Sequence, residues 1–320
     1  MKRVFITGAG GMVGMHLMQI LADEQPEVSV IGTYYAPTVD LKYAPVSAKL
    51  TECDIRDANL IDTLIDIYRP DVIFHLAAQS YPVVSMEKPV ETTEINICGT
   101  INLLEAVKRL KERCGYDPTV VIACSSAEYG DSLLNSEAPI EEDAPLLPVH
   151  PYGISKVAQD LLGYQYFRTD DIRTIRARIF NTTGPYKVGD MVSDFAIAAT
   201  KLLRGEDDRI EVGNLRSKRA ILNVTDLCSA LLLLAEKGDS GEAYNICSSY
   251  LTTGKEVLSE MEKIAGRSLP CIQVDSKMRK VDEPIIWGDT AKLKALGWAE
   301  LSTIKDIVLK IMLHWQKELA

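Results

Sequence analysis

The sequence predicts a doubly wound parallel α/β sheet, on three observations. Short β-branched runs alternate with amphipathic stretches through the first two thirds of the chain, the pattern of a sheet covered by helices on both faces. The run Val72-Ile73-Phe74-His75-Leu76 is apolar almost without a break, as a strand buried on both sides requires. A glycine-rich turn, residues 7–14, separates the first strand from the first helix. At 320 residues and 47% apolar, the chain can bury a large core.

Taken in order, residues 3–6, 28–33, 72–76, 119–124 and 174–180 read as strands by β-branched content. Between them, residues 12–23, 59–68, 96–113 and 153–168 carry helical spacing. After Phe180 the rhythm turns to glycine, proline and polar residues, then to a helix at 194–203 and a strand at 210–212. A strand and helix over 221–234 and a strand at 242–247 return to the sheet. Helices at 255–264, 292–296 and 304–315 then complete a smaller lobe, without internal repeats or low-complexity tracts.

The net charge of −10 argues against nucleic acid or an anionic membrane as a partner, while leaving room for a local basic pocket. Seven widely spaced cysteines without a C-x-x-C pair suit reduced thiols in a cytoplasm and predict no metal site. Met1-Lys2-Arg3 followed by Val4-Phe5-Ile6 opens like a targeting segment, but the apolar run breaks at Thr7-Gly8. No apolar run is long enough to span a bilayer.

Three motifs carry chemistry. Gly8, Gly11 and Gly14 have the spacing G-x-x-G-x-x-G, which allows a tight turn, close approach of backbone to a pyrophosphate and close helix packing. Ser125 ends a buried strand at the sheet's carboxyl edge, where open α/β sheets bind ligands. Tyr152 and Lys156, four residues apart at a helix start, share a face and form a proton-transfer pair, since a tyrosine needs a neighbouring ammonium to favour its phenolate. Asp54 reads either as an acceptor for an adenine amine or as a strand-end cap. The end of the second strand, where an acid selects NAD and a basic residue NADP, holds Thr33-Tyr34-Tyr35 and decides neither.

With these residues assembled, the chain resembles the extended short-chain dehydrogenase/reductases that modify nucleotide sugars. The resemblance rests on the 7–14 loop, Asp54-Ile55, His75-Leu76-Ala77-Ala78-Gln79-Ser80, Asn96 with Gly99-Thr100, Ser125-Ser126, Tyr129-Gly130, Pro151-Tyr152-Gly153 with Ser155-Lys156, and Arg178-Ile179-Phe180-Asn181 with Gly184-Pro185. It implies a Rossmann-like domain over 1–180, rejoined by 220–248, and a small α/β cap lobe for the sugar nucleotide over 181–219 and 249–320. It further implies NADP or NAD held by Gly8, Gly11, Met12, Val13, Gly14, Asp54, Ile55, Leu76, Ala77, Ala78, Asn96, Tyr152, Lys156 and Phe180. Tyr152 would move the proton, Ser125 polarise the sugar oxygen, and Lys156 hold the ribose and lower the tyrosine pKa.

Within that group the sequence is most similar to the GDP-4-keto-6-deoxymannose reductases and GDP-mannose 4,6-dehydratases, through residues 125–130, 192–196 and 212–215 with Arg219, 243–248, and Gly288-Asp289 with Leu296-Gly297-Trp298. The likeness implies a GDP-linked substrate met by Gln79, Ser126, Asn181, Ser193, Asn214, Arg219 and Arg279, with Asp282 or Glu283 as alternatives for a ribose hydroxyl. Two departures stand out: Ala220-Ile221 where the family shows Asp after the arginine, and Arg279-Lys280 for its Arg-Pro. Dehydratases carry an acid two residues before the tyrosine of the Tyr-Gly segment; Ala127 stands there, with Glu128 one place later. The expectation is therefore reduction of a 4-keto sugar to GDP-rhamnose, with a dehydratase or a 4-epimerase holding its cofactor tightly as the alternatives. The helices over 96–113 and 153–168 keep Leu103, Leu104, Val107, Leu161 and Leu162 as candidates for a homodimer interface.

Overall fold

In the computed structural model, which describes residues 1–134, 138–278 and 284–320, seven parallel strands form one sheet. They are β1 (Arg3–Thr7), β2 (Ser29–Tyr34), β3 (Lys49–Glu52), β4 (Val72–His75), β5 (Thr119–Ser125), β6 (Thr174–Ile179) and β7 (Ala243–Ile246), in the order β7-β6-β5-β4-β1-β2-β3. The chain runs outward from β1 to β3 and then returns to β4 on β1's other side. Between β1 and β4 the winding therefore reverses, opening a crevice at the carboxyl ends of the strands. Thr7 pairs with His75 across it, and Thr7 Oγ1 accepts the Ala77 amide at 3.1 Å.

Alternation along the strands feeds a core on each face. Val4 and Ile6 of β1, with Val72 and Phe74 of β4, pack beneath helices α1 (Met12–Glu24) and a later one, Val224–Lys237. Phe5, Ile73, Val120 and Ile122 pack on the opposite face beneath α2 (Ala58–Tyr68) and α3 (Gly99–Cys114). Leu103, Leu104 and Val107 belong to this second core and are fully buried, which removes them from any interface. On α4 (Pro151–Asp170), Leu162 packs partly against the same core while Leu161 is 52% exposed.

A third core lies in the lobe, between α5 (Met191–Leu203), α7 (Gly254–Ala265) and α8 (Ile304–Glu318), while α6 (Val224–Lys237) packs on the sheet. Phe195, Ala199, Val257, Met261, Ile307 and Ile311 supply its apolar stripes at helical spacing. Around it run short strands: Lys218–Ala220 between Leu251–Thr253 and Ile285–Ile286, which no period announces, and the expected Ile210–Val212 beside Cys271–Gln273. All seven cysteines are free thiols. No helix among the described residues is long and apolar enough to cross a membrane.

Candidate active site

A cavity of about 1040 Å³ runs from the carboxyl edge of the sheet into the lobe. At one end Gly8, Gly11, Met12, Val13 and Gly14 line it, and the glycines are there for space. Gly8 has φ +72°, and a Cβ on it would lie 2.7 Å from the Ala77 nitrogen; one on Gly14 would lie 2.6 Å from the Gly8 carbonyl oxygen. Gly11 caps α1 without a side chain, so the first-turn amides face the cavity free of any side-chain cap. That cradle fits a dinucleotide's pyrophosphate. Asp54, Ile55, Leu76, Ala77 and Ala78 continue the wall. Asp54 meets Arg56 through several hydrogen bonds, the shortest 2.6 Å, which hold its carboxyl below the usual range.

In the middle stand Ser125, Tyr152 and Lys156, all lining the cavity. Pro151 starts α4, and His150 Nδ1 accepts the Gly153 amide at 2.9 Å, so the first turn points at the end of β5. Lys156 Nζ donates to the Ala123 carbonyl at 2.7 Å, and burial pulls its pKa from 10.5 down to about 8. Burial pushes the Tyr152 phenol up to about 12, opposed by its hydrogen bond with Ser125. The expected lowering by Lys156 is thus not found: Nζ lies 5.8 Å from the Tyr152 ring centroid, and desolvation of the phenolate dominates.

Behind this trio a buried polar chain fixes the geometry. His75 Nδ1 meets Thr7 Oγ1 and its Nε2 meets Thr100 Oγ1, both at 2.9 Å. Thr100 donates its own hydrogen to the Asn96 carbonyl and therefore accepts from His75 Nε2–H; burial holds the imidazole neutral, its pKa down to about 3. Asn96 is fully buried and does not line the cavity. Its expected role as a cofactor contact gives way to bracing: its side chain binds the Gln79 amide and carbonyl and Ser155 Oγ, whose own hydroxyl donates to the Tyr152 carbonyl.

At the lobe end, Gln79, Ser126, Phe180, Asn181, Asn214 and Arg219 line the cavity. Asn181 Nδ2 is buried without a hydrogen-bond partner among the described residues, a donor waiting for an acceptor. Ser193 does not line the wall; it is fully buried on α5, and its neighbours Val192 and Asp194 face the cavity instead. A helix turns adjacent residues about 100° apart, so a motif match can be one position out. Arg279, Asp282 and Glu283 lie outside the described residues. The structure adds Tyr35, Arg56, Lys187, Glu211 and Lys277 to the lining. Lys187 has a signal in sequence as a basic residue in the glycine and proline turn after Gly184-Pro185, and Tyr35 as part of the end of the second strand; Arg56, Glu211 and Lys277 have none.

Cys124, Glu128 and Asp160 converge within 4.8 Å, a spacing that suits a metal. Asp160, however, already binds Arg176 at 2.5 Å and Arg178 at 2.8 Å, so the group is an ion-pair network.

A family model described as GDP-mannose 4,6 dehydratase matches residues 5–311. The GDP-6-deoxy-D-mannose reductase of Pseudomonas aeruginosa is 31% identical over 98% of this chain and 97% of its own. The solved structure of RMD from Pseudomonas aeruginosa complexed with NADPH superposes with a TM-score of 0.84 at 30% identity, covering 99% of this chain and 100% of that one. The UDP-glucose 4-epimerase of Thermotoga maritima, solved with UDP-glucose, superposes with a TM-score of 0.87 at 25% identity over 99% of this chain and 100% of that one.

Proposed function

The chain belongs to the GDP-mannose 4,6 dehydratase family, and from that membership we propose that it reduces the 4-keto group of a nucleotide-linked 6-deoxyhexose, GDP-4-keto-6-deoxymannose to GDP-rhamnose, at the expense of NADPH or NADH. The observation that carries the reading is a Ser125, Tyr152, Lys156 trio with Ala127, not an acid, beside it on the cavity wall. Glu128 stays behind the wall, fully buried, so it offers no proton to a departing hydroxyl, as a dehydration requires. A bound reduced dinucleotide supplies the hydride. Tyr152 gives its proton to the developing C4 alkoxide, Ser125 orients that oxygen, and Lys156, anchored by the Ala123 carbonyl and charged below about pH 8, holds the ribose of the dinucleotide.

Residues 181–219 and 249–320 serve as the substrate lobe. There Arg219, Lys277, Asn214 and the unpartnered Asn181 Nδ2 offer cations and donors to a diphosphate. Exposed Ile154 and Leu161, seven residues apart on α4, supply the apolar face of a homodimer. The test is purified protein with GDP-4-keto-6-deoxymannose and NADPH or NADH: nicotinamide absorbance falls, GDP-rhamnose forms, and Tyr152→Phe abolishes both. Unchanged absorbance, with conversion of a sugar nucleotide on retained cofactor alone, would instead favour the dehydratase or 4-epimerase reading.

A further inference from the structure

Glu128 is an acid hydrogen-bonded to the backbone of the catalytic serine, and its burial is complete. Its Oε1 accepts the Ser125 amide at 2.7 Å, while Ser125 Oγ accepts the Ala127 amide at 3.2 Å, closing a reciprocal cap around a single tight turn, Ser126–Glu128. This cap determines which way Ser125 leaves β5. Because the Ala127 amide occupies one lone pair of Ser125 Oγ, the hydroxyl's hydrogen is left to point at Tyr152 or at a substrate oxygen. Glu128 Oε2 has no hydrogen-bond partner and lies 3.4 Å from Arg178 Nε.

Arg178 is in turn committed elsewhere. It donates to Asp160 through Nε and Nη2, and through Nη1 to the Tyr129 hydroxyl and the Glu142 carbonyl. Asp160 also holds Arg176. Glu128 is thus a carboxyl that its nearest cation only half satisfies, close enough to Tyr152, Lys156 and Cys124 for its charge to act on all three.

We propose that Glu128 is a positioning residue for the reduction: gripping the Ser125 amide, it aims the serine hydroxyl at Tyr152, and its charge sets how readily Tyr152 releases a proton. This rests on the reductase reading of the same site. Burial and the Asp160 charge raise the Glu128 pKa, with Arg178 and Lys156 opposing, so the carboxyl keeps a proton well above the ordinary glutamate range. Once it ionises, its charge stabilises the neutral phenol and the lysine ammonium. Tyr152 then becomes a weaker acid, and turnover falls as pH rises.

Two variants and one spectroscopic measurement test this in the full-length protein. Glu128→Gln keeps an oxygen for the Ser125 amide and abolishes the charge; Glu128→Met removes both. With GDP-4-keto-6-deoxymannose and NADPH, Glu128→Gln is expected to stay within about threefold of wild-type kcat at neutral pH and to shift the alkaline limb of the pH profile, whereas Glu128→Met loses about tenfold or more in kcat with KM changed less than about twofold. Independently of any substrate, the Lys156 resonance in ¹³C-lysine-labelled protein, assigned by its absence in Lys156→Met, is expected to titrate at lower pH in Glu128→Gln than in wild type. An unshifted Lys156 titration overturns the proposal even if no sugar nucleotide turns out to be a substrate, and so even if Glu128→Met fails to fold. An active wild type whose pH profile Glu128→Gln leaves unchanged overturns it as well.

Discussion

Lys156 sits where a lysine is least at ease, 3% exposed with one carbonyl for its ammonium. Its pKa falls from 10.5 in the unfolded chain to about 8 in the folded one. Between those values the unfolded state binds the extra proton, so stability rises with pH there and the full penalty applies below about pH 8. That penalty corresponds to roughly 3 kcal/mol. Lys156→Met is therefore expected to gain roughly 1–3 kcal/mol in urea denaturation at neutral pH, with the gain vanishing at strongly alkaline pH, while turnover disappears. Asn181 presents the opposite case, a buried donor without a partner among the described residues. Asn181→Leu is expected to raise KM for the sugar nucleotide by about tenfold while leaving NADPH affinity, measured by fluorescence titration, unaltered.

The glycine turn works as one element, with Gly14 of α1 packed against Gly8 of the loop before it. A methyl on Gly14 would meet the Gly8 carbonyl at 2.6 Å and Ala9 Cα at 2.7 Å, backbone atoms that cannot swing aside. Gly14→Ala is expected to weaken dinucleotide binding by at least about tenfold in calorimetry, because the loop must leave the position in which its amides converge. Such elements were legible: β-branched runs and glycine spacing mark β1, β4, β5 and the turn, and the four-residue step of Tyr152 and Lys156 fixes their common face. The lobe was legible in its helices at 194–203, 255–264 and 304–315 but not in its small sheet, since strands such as Lys218–Ala220 or Ile285–Ile286 are too short to show a period and exist only because distant segments meet. Motif matching also names residues without giving the direction of their side chains. Asn96 and Ser193 carry the right type at the right place in the chain, yet one turns inward to brace Gln79 and the other is buried on α5.

At the scale of the molecule, the cavity is walled by the sheet edge on one side and the lobe on the other, with Tyr186 at the seam. Tyr186 adopts φ +71°, its amide donates to His314 Nε2 of α8 at 3.2 Å, and its ring packs near His16 of α1. A ligand spanning the cavity thus touches both bodies at once. Cofactor and GDP together are expected to raise the melting temperature by more than the sum of their separate shifts, read by scanning fluorimetry, since each orders part of the other's wall.

The late return of β7 gives the chain a particular history of synthesis. Until residues 243–246 leave the ribosome, β6 is the outermost strand of a sheet otherwise complete, its outward-facing backbone donors and acceptors unpaired. The intervening residues 180–242 must emerge first, so the nascent protein carries an adhesive edge throughout that interval. Closure comes only when β7 docks, by which time just the 181–219 part of the lobe has been made, and a chain interrupted earlier is left with a sticky rim instead of a binding site.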